Sequence, residues 1–193
     1  KYFLSAGFNV INFDQRFNEY NHSEYIDQLN SFPDAFVVNC VGRIKQKSTN
    51  PMELLLTNAV LPLELARKLK CTHVLVQPST DCVFNGAMDE YYDVDYPHNA
   101  IDAYGWSKSL GESAILEMQN GFTIRVSIIG LDKNSTKGLL SWFLNNTSKT
   151  KIEGYSNIFW NGITTLEWSR KLHEIISSTS RLSEVIDLKV IQL

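Results

Sequence analysis

The alternation of short β-rich runs with helical segments limits the fold of this chain more than any other feature. The runs are FNVINFD (8–14), AFVVNCVG (35–42), THVLVQPST (72–80) and FTIRVSIIG (122–130), each rich in β-branched and aromatic residues. Helical spacing falls between them. SEYIDQLNSF starts on a serine and is closed by Pro33-Asp34. Pro51 opens the long stretch PMELLLTNAVLPLELARKLK, and a helix from Tyr104 runs through SKSLGESAILEMQ to a stop at Gly121. Pro62, inside the long stretch, is expected to kink it or to start a new helix. Connections of this length suit crossovers, so the expected fold is α/β with a mostly parallel, doubly wound sheet. Past Gly130 the elements shorten to a helix near 137–146, a strand-like NIFWNGITT and a helix LEWSRKLHEIISS.

Composition narrows the partners. The chain has 193 residues, 44% hydrophobic and 20% charged, with a formal net charge of −3, so no basic excess points to nucleic acid or an anionic membrane. Its apolar runs fall far short of the ~20 residues that span a bilayer, and residues 1–10 carry no signal-peptide pattern. Cys40, Cys71 and Cys82 are odd in number and lack C-x-x-C spacing. They fit small core hydrophobes in a reducing cytoplasm, with no metal site and no disulfide framework.

In an open parallel sheet, ligands bind beyond the carboxyl ends of the strands, so the residues there are the site candidates. Asp14 ends the first run, where a carboxylate can accept both hydroxyls of an adenosine ribose. Arg16 can instead cover a 2′-phosphate, which leaves NAD and NADP both open. Asn39, Cys40, Val41 and Gly42 end the second run with mostly small side chains that let a cofactor approach the backbone, although plain strand-to-loop geometry accounts for them nearly as well. Ser79 and Thr80 put hydroxyls at the end of the third.

Tyr104 and Lys108 then share a helix face one turn apart. Chance alone supplies ~0.5 Tyr-x-x-x-Lys pairs in a chain of this composition, so the pair draws its meaning from its surroundings. With a strand-end hydroxyl nearby it has a defined chemical use. The Lys108 ammonium is expected to lower the Tyr104 phenol, Tyr104 to pass a proton to or from a substrate oxygen, and Thr80 to hold that oxygen. Lys108 can also bond a nicotinamide ribose.

In order and spacing, PDAFVVNCVG, TNAVLPLELA, STDCVFNG, YYDVDYP, AYGWSKSLGE and IRVSIIG, spread over residues 33–130, resemble the extended short-chain dehydrogenase/reductase superfamily. Within it they are similar to the dTDP-4-dehydrorhamnose reductase-like (RmlD-like) branch of sugar-nucleotide enzymes. The resemblance implies a Rossmann-like fold, an NAD or NADP cofactor, and Thr80, Tyr104 and Lys108 as the catalytic trio. It further implies Asn58 as a brace for the active-site helix, and Asp81, Phe84 and Ile128 facing the sugar. The implied reaction is reduction of a nucleotide-linked 4-keto sugar. A nucleotide-sugar epimerase or dehydratase of the same superfamily, or a non-catalytic NAD(P)-binding regulatory subunit, stands as the alternative. A homodimer is compatible with it.

The chain departs from that pattern at several points. Cys82 stands where an aromatic residue is common, Ile128 where a tryptophan is, and NIFWNGITTLEW is similar only in outline. The family opens with a strand and a glycine-rich turn, whereas Gly7 is the only glycine in the first forty residues here. KYFLSAGFNV therefore reads as the tail of the first helix entering the second strand, with on the order of 20 residues of a strand-turn-helix unit expected upstream. VIDLKVIQL likewise stops mid-pattern. The expected organisation is an NAD(P)-binding domain over 1–130 and part of a smaller substrate-binding region, with returning sheet elements, over 131–193.

Overall fold

The computed structural model describes every residue except 46, 47, 49, 89, 132–137, 147–150 and 158–159. A short helix α1 (Tyr2–Ser5) and α2 (His22–Asn30) precede β1 (Phe36–Val38). The long helical stretch then appears as α3 (Pro51–Leu55), a π-helical turn (Leu56–Val60) and α4 (Leu61–Lys68). β2 (Val74–Ser79), a 3₁₀ turn (Asp81–Val83), α5 (Ala103–Leu116) and β3 (Gly121–Arg125) follow. The chain continues through β4 (Ile128–Ile129), α6 (Leu139–Asn146), β5 (Ile163–Thr164), α7 (Thr165–Ile176), α8 (Thr179–Leu188) and β6 (Val190–Gln192).

The main sheet runs β1-β2-β3-β6 with every pairing parallel, and β4 pairs with β5 in a second small sheet. Adjacent residues on β2 face opposite ways, as a pleat requires. Leu75 joins a cluster with Tyr25, Ile26 and Leu29 of α2, Leu61 and Leu65 of α4, and Ile115 of α5. Val76 joins one with Phe122 and Ile124 of β3, Trp168, Leu172 and Ile175 of α7, and Val185 of α8. Helices thus cover both faces of a parallel sheet, the doubly wound α/β arrangement expected. Among the described residues no helix is long and apolar enough to cross a membrane.

The kink expected at Pro62 takes the form of the π turn just ahead of it. Proline has no N–H to give the carbonyl four residues back, which is that of Asn58. The chain bonds instead from Leu61 N to Leu56 O across the turn. Asn50 caps the start of α3, its Oδ1 accepting from Met52 N at 3.0 Å, with Pro51 at the first helical position.

Four expectations need correction. Residues 8–14 do not form a strand: the run is not part of either sheet, and Val10 and Ile11 stay exposed while Phe13 packs against Tyr25. High β propensity makes no strand without a partner for its backbone groups. The fourth run is divided, with Gly121–Arg125 in the main sheet and Ile128–Ile129 leaving it to pair with β5. Of the strand-like stretch 157–165, residues 158–159 lie outside the described residues and pairing is confined to Ile163–Thr164, while position 137 of the helix near 137–146 also lies outside them. Cys40, Cys71 and Cys82 are exposed and free, not core, because they sit beyond β1, in the turn before β2 and in the 3₁₀ turn.

Candidate active site

The carboxyl ends of β1 and β2 meet at one place. Asn39, just past β1, is buried and donates to Gln77 Oε1 on β2 at 2.8 Å, while its own Oδ1 accepts from Val41 N at 3.2 Å. Cys40, Val41 and Gly42 continue as exposed backbone. One strand over, Ser79 and Thr80 are buried at the end of β2. The Thr80 hydroxyl caps the 3₁₀ turn, accepting from Cys82 N at 3.2 Å and donating to Asp81 Oδ1 at 3.1 Å.

α5 begins where Asp102 caps it, Oδ1 accepting from Gly105 N at 2.8 Å, and Asp102 also pairs with Lys45 at 3.1 Å. Its carboxyl sits below its ordinary value, first because of the Gly105 backbone bond. This cap sets Tyr104 in the first turn, beside Thr80 and Cys82. The phenol of Tyr104 is pushed up to about 12, by burial first and by Cys82 second, with the Thr80 hydroxyl opposing. One turn on, Lys108 Nζ donates to the Pro78 carbonyl at 2.7 Å. Burial brings its ammonium down to about 8, and Glu112 opposes that fall. The expected lowering of Tyr104 by Lys108 is therefore reversed in direction, since burial dominates and the ammonium is aimed at a backbone carbonyl.

Asn58 braces the helix as expected. Its Nδ2 donates to Ser107 Oγ at 3.0 Å and to Arg43 O at 2.8 Å, its Oδ1 accepts from Arg43 N at 2.8 Å, and Ser107 Oγ in turn donates to Tyr104 O at 2.7 Å. Asp14, the last residue of the 8–14 run, and Arg16 are both exposed. Of the sugar-side candidates, Asp81 and Ile128 are exposed. Phe84 is only 7% exposed, its ring stacked on Tyr92 at 4.5 Å with the Arg125 guanidinium 5.2 Å from its centroid. Its ring forms part of the wall that Tyr92 and Arg125 complete.

Two features escaped the sequence reading. Gly105 and Gly111 let α5 touch its neighbours: a Cβ at Gly105 would lie 2.2 Å from Cys82 O, and one at Gly111 would lie 2.0 Å from Asn58 O. The available signal was the cost of glycine inside a helical pattern. The second feature is a buried ion pair of Arg125 with Glu112, foreshadowed only by a lone charge in an apolar strand. Burial alone would raise the Glu112 carboxyl, but the Arg125 guanidinium beside it holds it below its ordinary value.

The lysine carries a testable pH consequence. Its folded value, about 8, lies below the usual 10.5, so between those values the folded chain binds fewer protons than the unfolded one. Stability therefore rises with pH across that window. Melting curves of the parent and Lys108→Met should diverge in the parent's favour as pH climbs from 8 to 10.5. A constant difference would mean that the ammonium is not buried.

A family model described as RmlD substrate binding domain matches residues 3–151. A curated dTDP-4-dehydrorhamnose reductase of Streptomyces griseus is 33% identical over 98 residues, which cover 48% of this chain and 32% of that protein. Among solved structures, the dTDP-4-dehydrorhamnose reductase of Bacillus anthracis in complex with NADP superposes with a TM-score of 0.75 at 19% identity, over 91% of this chain and 64% of that one. That of Clostridium acetobutylicum gives 0.73 at 18% identity, over 91% and 60%. At such identities the superpositions speak for the fold, and the chain spans less than two thirds of each relative.

Proposed function

Because the chain belongs to the RmlD substrate binding domain family, we propose that it carries the catalytic centre of an NAD(P)H-dependent reductase of a nucleotide-linked 4-keto sugar. The observation behind this reading is the meeting of the Thr80 hydroxyl, the Tyr104 phenol and the Lys108 ammonium at the carboxyl end of β2. On this reading residues 1–130 hold the cofactor and 131–193 contribute to the substrate side.

The residues present suit both ends of a dinucleotide. Asn39 to Gly42 offer a low rim of mostly short side chains beyond β1, next to the end of β2 where Lys108 bonds the Pro78 carbonyl, and Asp14 or Arg16 supplies an acceptor for ribose hydroxyls or a cation for a 2′-phosphate. When bound, the reduced nicotinamide supplies the hydride to the carbonyl carbon. Tyr104 donates its phenolic proton to the carbonyl oxygen, which becomes the hydroxyl of the product, and Thr80 holds that oxygen during transfer. Lys108, anchored by its bond to the Pro78 carbonyl, keeps its remaining ammonium protons for the nicotinamide ribose.

A phenol at about 12 stays protonated at neutral pH. That state suits a donor of a proton to the carbonyl oxygen, as reduction requires. Cys82, in the place where a dehydratase would need a second carboxylate after Asp81, argues in the same direction.

The test uses the full-length protein. Fluorescence titration with NADPH and NADH should show saturable binding, and dTDP-4-dehydrorhamnose should then drive oxidation of the preferred cofactor. NADPH preference assigns the 2′-phosphate to Arg16, NADH preference assigns the ribose to Asp14. Binding with no turnover of any nucleotide-linked 4-keto sugar replaces the reductase with the regulatory reading.

A further inference from the structure

One buried guanidinium joins four elements behind Tyr104. Arg125, 4% exposed at the end of β3, donates from Nε to Glu112 Oε1 at 2.8 Å and pairs with it again through Nη2. Its Nη1 donates to Val94 O at 2.6 Å, and its Nη2 lies 2.8 Å from His98 Nε2. Its carbon stands over the ring of Phe84, three residues from Asp81.

Arginine has donors only, so His98 Nε2 must accept, which leaves the imidazole proton on Nδ1. That nitrogen lies 2.6 Å from Ser109 Oγ on α5. A competing contact of Nε2 with Glu112 Oε1 is longer, at 3.3 Å, and the shorter bond to Arg125 decides the tautomer. The segment Tyr91–Asn99 is thereby fastened to α5 at Ser109 and, through Arg125, at Glu112. Asn99 ties the same segment to the turn before the site, donating from N to Val83 O at 3.1 Å and accepting from Asn85 N at 2.9 Å. Glu112 stands on the Tyr104 and Lys108 face of the helix, two turns past Tyr104.

Resting on the reductase reading above, we propose that His98 and Arg125 are positioning residues for the sugar-nucleotide substrate. They hold the Phe84 and Tyr92 wall in register with the helix that presents Tyr104. Neither touches the reacting atoms. A buried arginine that uses all of its nitrogens on backbone, carboxylate and imidazole is costly to desolvate, and its geometric return is a fixed distance between wall and proton donor.

His98→Ala tests this with less risk to folding than loss of Arg125. In the full-length protein, KM for dTDP-4-dehydrorhamnose should rise about tenfold, with kcat within about threefold and NADPH affinity unchanged. His98→Gln, whose amide oxygen can accept from Arg125, should recover most of that loss. Without any substrate, hydrogen exchange of the Val94 to Asn99 amides should quicken about tenfold in His98→Ala while the α5 amides hold. An unchanged KM, or equal losses in both variants that follow a drop in Tm, overturns the proposal. If the parent itself shows no turnover, the reductase reading fails and the exchange experiment alone decides whether the clasp exists.

Discussion

Tyr104→Phe should cut turnover by about a hundredfold or more while leaving NADPH affinity within a few-fold of the parent. The substitution keeps the ring that fills the space beside Thr80 and Cys82 and removes only the proton that can be given. A positioned general acid contributes about 10²- to 10⁴-fold, equivalent to about 3 to 5 kcal/mol of barrier, and a nearby water that substitutes for it would set the lower end. Because the phenol is pushed up to about 12, the parent should work with its donor protonated across the neutral range, and any alkaline decline should report Lys108 near 8 before it reports the phenol. The measurement is kcat and KM in parallel with a cofactor titration of both proteins. Turnover within a few-fold of the parent would remove Tyr104 from the chemistry and leave Thr80 and Lys108 without the group they are arranged around.

What could be read from the sequence was what is local. β-branching in THVLVQPST and the helical period of SEYIDQLNSF are properties of neighbouring residues, and both elements stand within two residues or so of their expected ends. The Tyr104 to Lys108 spacing is local in the same sense. Whether FNVINFD becomes a strand depends on a partner for its backbone, which no feature of those seven residues can supply. The surroundings of Phe84 were not legible for a related reason. Its burial comes from Tyr92 and from Arg125, which is distant in sequence, and a motif says which residues lie near a site without saying which of them form the wall behind it. The Arg125 and Glu112 pair is another such long-range fact, with an arginine on β3 and a carboxylate on α5 each unremarkable until brought together. Even the direction of the Tyr104 shift turned on packing, since two groups at helical spacing attract or ignore each other according to where the lysine finds its hydrogen bond.

Gly111→Ala sets local preference against packing, and the magnitudes decide between them. A glycine inside a helix costs about 0.5 to 1 kcal/mol relative to alanine, so propensity alone has the substitution stabilise α5. Yet the added Cβ would fall 2.0 Å from Asn58 O and 3.1 Å from Asn58 C, and both atoms are backbone. That carbonyl is the one left without its usual helical donor by Pro62, so the π turn and the glycine form one fitted contact. Overpacking of this kind costs about 1 to 3 kcal/mol and more where backbone must yield, which exceeds the gain in propensity. The variant should therefore melt several degrees below the parent, while Ser113→Ala, exposed on the same helix, should change little. Function should suffer beyond stability. Moving α5 away from the π turn stretches the bond of Asn58 to Ser107 and shifts Tyr104 relative to Thr80, and displacement by about 1 Å can cost a hundredfold in rate. Turnover of the folded fraction should fall by at least about tenfold at temperatures where circular dichroism reports a native variant. A variant as stable and as active as the parent would show that the two helices do not meet at Gly111, and with that the brace holding Tyr104 in place would be lost from the mechanism.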